Sequence, residues 1–498
     1  MLVRTRRTSS RFLSAAAVLW LASAALGSPG GGKIAIKAGR ILTQAGPDIV
    51  NGIIVIDGGR IVSVGPDTRA PWDAEVLDHP ELVAFPGWVE AHSTRGMDRP
   101  NENIDIAPFL DVRDSIDPIS FHFEDCLRSG ILTINVQQGP PAQNSAGCVI
   151  GAQGLVVKPF GLTVEQMLEK TDAGLKLSAA PKAGKSRATQ AQALRKAFTD
   201  LRLYLEKVVQ DTKDGKDTAR REALYQGRDL EKEENKKGRK MEGTANWTVK
   251  DLELVPRGEI DDKQEPLLRL VEGKIPAFFY CDAAAAVPLA LEIARENGFL
   301  ARTTLVVDGD SWKAADLIAE AGVPVVLGAN LVHVERDPLT GKEIETFVPG
   351  VFKKKKVRFA LQSLNPQAQS LWYQAAVCVG YGIDRKEALD SVTRTAADIL
   401  HLGDRVGSLE PGKDGNVLLL SGDPLSTTTT VQFVVLDGNL VYDRSKDVRV
   451  KHLIEGIEQE NAGPTDATTA KPEHDDDEKE GVEPEPKKKD AGEKKDDR

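Results

Sequence analysis

The chain has 498 residues, 41% of them hydrophobic, which is enough for one large domain plus a smaller one, or for two or three domains. Its net charge of −10 argues against a general nucleic-acid binder and says little about small substrates. The four cysteines (Cys126, Cys148, Cys281 and Cys378) are far apart and lack CxxC spacing, so they exclude a zinc ribbon and read first as small buried apolar residues.

The N-terminus places Arg4, Arg6, Arg7 and Arg11 before the apolar run "FLSAAAVLWLASAAL" and the break "LGSPGGG". That order is the order of a secretory signal, so residues 1–27 are expected to direct the protein to a periplasmic or extracellular location. The apolar run is short for a membrane span, and a retained single anchor is the alternative. After it, "KIAIKAGRIL" (33–42) and "GIIVIDGGRIVSVG" (52–65) alternate as strands do, with Asp57–Gly58–Gly59 as a tight hairpin turn. A similar pattern returns in "GNVLLLSGDP" (415–424) and "VQFVVLDGNLVYD" (431–443), with a turn at Asp437–Gly438. Hairpin-rich segments at both ends predict one small β-domain made from residues 33–86 and 405–447, with the middle inserted into it.

That middle, residues 87–404, alternates strand and helix. "ILTINVQ" (131–137) follows a helical "FHFEDCLRSG", and "GKIPAFFYCD" (273–282) precedes the helix "AAVPLALEIARENG". "ARTTLVVDGD" (301–310), "WKAADLIAEAG" and "VPVVLGAN" continue the alternation. The pattern predicts parallel βαβ units, and the length exceeds the roughly 250 residues a (β/α)₈ barrel needs. Residues 161–265 are charge-rich and read as a helical insertion or an elaborated barrel loop, with Leu194, Phe198, Leu201, Leu205 and Val208 on one helix face. The mixed-charge tail 461–498 has almost no large apolar residue and reads as disordered. No Ser-His-Asp arrangement, phosphate-cradling loop or dinucleotide fingerprint stands out.

The stretch "VAFPGWVEAHS" resembles the strand-1 motif of the amidohydrolase superfamily, P-G-hydrophobic-(I/V)-(D/E)-x-H-x-H, in the exported imidazolonepropionase-like or periplasmic branch. "ALDSVTRTAADILHLGDRVGSLEPGKDGNVLLLSGDPL" (388–425) closely resembles that family's C-terminal signature, and the likeness runs over residues 33–445. The resemblance implies a TIM-like (β/α)₈ barrel of metal-dependent hydrolase type, plus a small β-sandwich formed by both chain ends. It also implies a divalent metal at the barrel mouth, which activates water to hydrolyse a C–N bond.

Carried over position by position, the resemblance implies a depleted ligand set. His92 is kept, and Thr94 replaces the second strand-1 histidine. "PAFFYCDA" puts Tyr280 and Asp282 on the strand-5 histidine positions, and "LVVDGD" puts Asp308 on the strand-6 one. In "ALQSLNP", Leu364 takes the place of the proton-shuttling aspartate, with Asn365 beside it. Lys158 and Lys176 are the candidates for a lysine ligand.

Two readings follow. In one, His92, Asp282 and Asp308 rebuild a carboxylate-rich metal site in a C–N hydrolase. In the other, acidic residues fill a wet barrel mouth, and an inactive barrel binds a small molecule or a partner without metal. His92, Tyr280, Asp282, Asp308 and Leu364 are expected in one pocket, and Tyr280, Asn365 and His333 as contacts for a ligand. The expected partner is a small-molecule substrate or ligand, without nucleic acid or a stable membrane span. A homo-oligomer is left open.

Overall fold

The computed structural model describes residues 32–139, 147–241, 243, 246–363 and 370–455. The leader 1–27, the tail 461–498, and Leu364 and Asn365 therefore lie outside the described residues. No helix among the described residues is long and apolar enough to cross a membrane.

The two chain ends build one sheet. Strands β1 (Ile34–Ile41), β2 (Ile49–Asp57), β3 (Arg60–Gly65) and β4 (Glu75–Pro86) come from the N-terminal segment. Strands β15 (Val417–Leu420), β16 (Val431–Leu436) and β17 (Asn439–Asp443) come from the C-terminal one. The order is β17-β16-β15-β4-β1-β2-β3, so the two segments meet where β15 runs antiparallel to β4. Both hairpin turns form where two successive residues take positive φ, Gly58–Gly59 and Asp437–Gly438, which suits the right-handed twist of the flanking strands. The strands form one continuous seven-stranded sheet, which is partly consistent with the expected sandwich. One face gathers Ile34, Ile36, Ile54, Ile56, Val417 and Leu419 into a core of its own. Phe85, Leu418 and Leu420 belong instead to the core shared with the barrel's helices.

Between the chain ends lies an eight-stranded sheet in the order β14-β11-β10-β9-β8-β7-β6-β5. Its strands are β5 (Trp88–Ser93), β6 (Ile131–Val136), β7 (Ile150–Val157), β8 (Leu168–Ser178), β9 (Ala277–Cys281), β10 (Thr303–Val307), β11 (Val325–Leu327) and β14 (Phe359–Leu361). A separate hairpin, β12 (Val332–Arg336) and β13 (Glu343–Phe347), leaves the ring after β11. Ser391 and Val392 bridge the gap between β14 and β5: Leu361 N donates to Ser391 O (3.2 Å) and Val89 N to Val392 O (2.9 Å). The ring is thus nearly closed, as a TIM-like barrel requires.

It departs from an all-parallel barrel at β7, which runs antiparallel to both neighbours. The reason is length: the link from β7 to β8 is only Lys158–Met167, too short for a parallel crossover.

The charge-rich stretch 161–265 also differs from expectation, because β8 lies inside it. Lys170, Asp172 and Lys176 made a barrel strand look like a loop. The rest of the stretch includes the 40-residue helix Arg187–Gln226, capped by Ser186 and ended by Gly227 in the left-handed conformation. Leu194, Phe198, Leu201 and Leu205 are buried along it as expected, with Val209 buried and Val208 only half-buried.

Candidate functional site

Alternation along each barrel strand sends one residue set inward. Val89, Ala91, Val156, Ala173, Phe278, Val306, Val326 and Ala360 pack together inside the ring, with Tyr280 against them. Phe279, Cys281, Leu305, Leu327 and Leu361 pack outward against the helices. The barrel centre is therefore filled, and any chemistry belongs to its mouth, at the C-terminal strand ends.

On β5 the register slips between Glu90 and Ser93, so Ala91 and His92 together oppose Asn135 of β6. Such a bulge re-aims a side chain. His92 is 6% exposed, its ring lies 6.5 Å from Phe278, and Gln362 bonds to it. Burial, opposed by the Gln362 bond and helped by the positive charge of Lys176, pulls its pKa down to about 4. The imidazole is neutral at neutral pH.

Glu90 accepts the Ser363 N–H at 3.1 Å and the Ser363 hydroxyl, which ties β5 to the end of β14. Burial drives its pKa up to about 8 despite these bonds, so the carboxyl is protonated at neutral pH.

Lys176 on β8 is 1% exposed and its ammonium donates to the Cys148 carbonyl. Burial lowers its pKa to about 8. Neighbouring glutamines complete a polar belt. Gln137 donates to Asn135 Oδ1 and to Gly174 O, both at 3.3 Å, and Gln138 accepts from Ala152 N at 2.9 Å. Gly154 makes room for this belt, since a Cβ there would come within 2.0 Å of Gln137 Nε2.

On the opposite wall Tyr280 pairs with Val306, which brings Asp282 beside Asp308 at the next step along β9 and β10. Burial first, then the charges of Asp308 and Asp282, push the Tyr280 phenol up. Asp308 accepts from Gly309 N at 2.8 Å, and Asp282 Oδ1 is buried with no hydrogen-bond partner among the described residues.

Tyr280, Asp282 and Asp308 thus share the ends of β9 and β10, and His92 interacts with Gln362 and with the charge of Lys176. His92, Asp282 and Asp308 do not make a three-ligand site: among the described residues, no group of three or more His, Cys, Asp or Glu side chains could hold a metal ion.

Lys158 is not at the mouth. It lies at the base, where β7 ends, 2.9 Å from Glu169, 2.6 Å from Asp437 and 3.7 Å from Asp414. Its position follows from the reversed direction of β7, which carries the C-terminal end of that strand to the other end of the ring. His333 stands on the β12–β13 hairpin, 3.6 Å from Glu335 and 6.0 Å from the Trp312 ring.

Glu90, Gln137, Gln138, Gln362 and Ser363 were not singled out beforehand. The acidic position of the strand-1 motif could have flagged Glu90. The glutamines carry no signal outside their three-dimensional setting.

Residues 291–442 match the amidohydrolase family. The structure of an amidohydrolase from Thermotoga maritima is similar over 82% of this chain and 100% of its own, with a TM-score of 0.65 and 25% identity. A 5-methylthioadenosine/S-adenosylhomocysteine deaminase of Moorella thermoacetica is 42% identical over 69 residues, which are 13% of this chain and 16% of that protein. The amidohydrolase tasK of Hapsidospora irregularis is 34% identical over 76 residues, 15% of this chain and 8% of that protein. Both curated relatives are matched over only a small part of their length. The family match covers less than a third of the chain, and with the fold it marks a likeness to the amidohydrolases. Members of that family are typically metal-dependent.

Proposed function

We propose that this amidohydrolase-superfamily barrel binds a small polar molecule at its mouth and does not use the histidine-bound metal typical of its relatives. The observation that carries this reading is the buried Lys176 ammonium, held on the Cys148 carbonyl, whose positive charge acts on His92. That ammonium, without a carboxylate partner among the described residues, disfavours a divalent cation at the retained histidine. Gln137, Gln138, Gln362 and Tyr280 supply the hydrogen bonds that orient a ligand. Leu364 at the shuttle position supports the same reading, since it can neither accept nor pass a proton.

The test is elemental analysis of the purified protein after incubation with zinc and manganese, with His92→Ala as control. The expected result is metal at background in both proteins, together with a thermal shift from some members of a small polar library. Near-stoichiometric metal that disappears in His92→Ala overturns the proposal.

That outcome would favour a second reading, a hydrolase of C–N bonds with a carboxylate-rich site. One observation speaks for it: Asp282 and Asp308 are adjacent, and one Asp282 oxygen is buried without a partner. The basic-then-apolar leader supports export, which cell fractionation with an antibody to the barrel would test.

A further inference from the structure

A second cavity lies away from the mouth. It measures about 350 Å³, within the roughly 300–1,000 Å³ of small-molecule sites, and opens where the barrel's outer layer meets the two-ended sheet. Trp88, Arg128 and Trp372 line it from the barrel side, and Thr429, Thr430 and Arg444 from the sheet side. Trp88 begins β5 and His92 lies four residues along the same strand, so the two sites are roughly 13 Å apart along it.

The two arginines differ. Arg128 is saturated: it reaches Asp447 at 2.7 Å, Glu124 at 3.1 Å and Asp125 at 3.2 Å. Arg444 has no carboxylate partner among the described residues, because neighbouring Asp443 is taken by Ser445 N at 3.0 Å and by Lys446 at 3.1 Å. The aromatic pair differs as well. Trp88 is buried, packed 4.6 Å from Phe85 and fixed in place, whereas Trp372 is half-buried on the helix Leu371–Gly380 and offers ring surface to the cavity. Thr430 Oγ1 already accepts from Gln432 at 2.7 Å, which orients the threonine wall.

We infer that this cavity is a binding site for a planar aromatic carboxylate, its ring against Trp372 and its carboxylate on Arg444. A guanidinium is built for this pairing, since it presents parallel N–H donors to both carboxylate oxygens. A flat ring can pack against the indole.

The test is calorimetric titration of the full chain with benzoate, using benzamide as the uncharged analogue and acetate as the analogue without a ring. Benzoate is expected to bind at least tenfold more tightly than either analogue. Arg444→Gln should abolish that preference, Arg444→Lys should keep part of it, and Trp372→Leu should weaken benzoate while leaving the order of ligands intact. His92→Ala should change nothing, which separates this site from the mouth. Equal binding of benzoate and benzamide, benzoate binding that survives Arg444→Gln, or loss in His92→Ala overturns the inference. Circular dichroism of each variant confirms that the comparison is between folded proteins.

Discussion

Two lysines are buried in the barrel wall, and their neighbourhoods have opposite designs. At the base, burial lowers the affinity of Lys158 for its proton, but Glu169, Asp437 and Asp414 more than restore it, and its pKa is raised. Arg405 joins the same group, 2.8 Å from Asp414, and Arg60 reaches Asp414 at 2.7 Å from the sheet side. Near the mouth, burial acts on Lys176 with no carboxylate among the described residues to oppose it, and the pKa falls to about 8. The same residue type therefore does two jobs. Lys158 locks the barrel link after β7 to the sheet, whereas Lys176 holds a buried charge without a carboxylate partner among the described residues. Uncompensated charge costs stability, so it persists where it serves a site.

Breaking the base should have the largest effect. Lys158→Met leaves three carboxylates with fewer cations in a dry setting, and unfolding in urea should show a loss of about 3–5 kcal/mol. A loss below about 1 kcal/mol would mean that Arg405 and Arg60 carry the cluster alone.

Lys176→Met should act in the other direction, with stability unchanged or raised by up to about 2 kcal/mol at neutral pH. The sign with pH is distinctive. The folded pKa lies below the ordinary 10.5, so between about 8 and 10.5 the unfolded chain binds more protons and stability rises with pH. Urea midpoints measured across that window should climb in the parent protein and stay flatter in Lys176→Met.

Glu90→Gln should give a smaller change, confined to one window. The folded pKa of Glu90 is raised from 4.5 to about 8, so its contribution is lost as pH climbs through that range. His92, lowered from 6.5 to about 4, contributes the opposite slope up to 6.5. The two offset each other in the acid part, and the decline from Glu90 stands clear between 6.5 and about 8. Thermal melts of Glu90→Gln should not show that decline. Lys196→Ala, which breaks an exposed one-turn pair with Asp200, should change stability by less than about 0.5 kcal/mol and marks the lower end of the scale.

Much of the architecture was legible in the sequence, because the strands of both chain ends alternate cleanly and two turns carry glycine where positive φ is needed. The strand β8 was not legible, since "LEKTDAGLKLS" carries charges that suggest a surface loop. Those charges find partners only in the fold: Glu169 with Lys158, Lys170 with the Leu400 carbonyl, and Lys176 with the Cys148 carbonyl. The reversed β7 was hidden for a related reason, as strand direction is set by linker length and not by side-chain pattern. At the mouth, the motifs pointed to His92 and Tyr280, which lie on β5 and β9, and to Asp282 and Asp308, one residue past the ends of β9 and β10. They said nothing of the bulge at Ala91–His92 or of the buried Lys176 ammonium whose charge acts on His92, because both depend on how neighbouring strands are placed.

The two-ended sheet also sets the timetable of synthesis. Strand β4 acquires β1 early on one edge, but Val83–Pro86 wait for Val417–Leu420, and the whole barrel is translated in between. Until then Val83, Ala84 and Phe85 present an open apolar edge, the kind of surface that pairs with the wrong chain. The last strands out of the ribosome thus protect some of the first, and a chain interrupted before them would emerge with its earliest sheet unguarded.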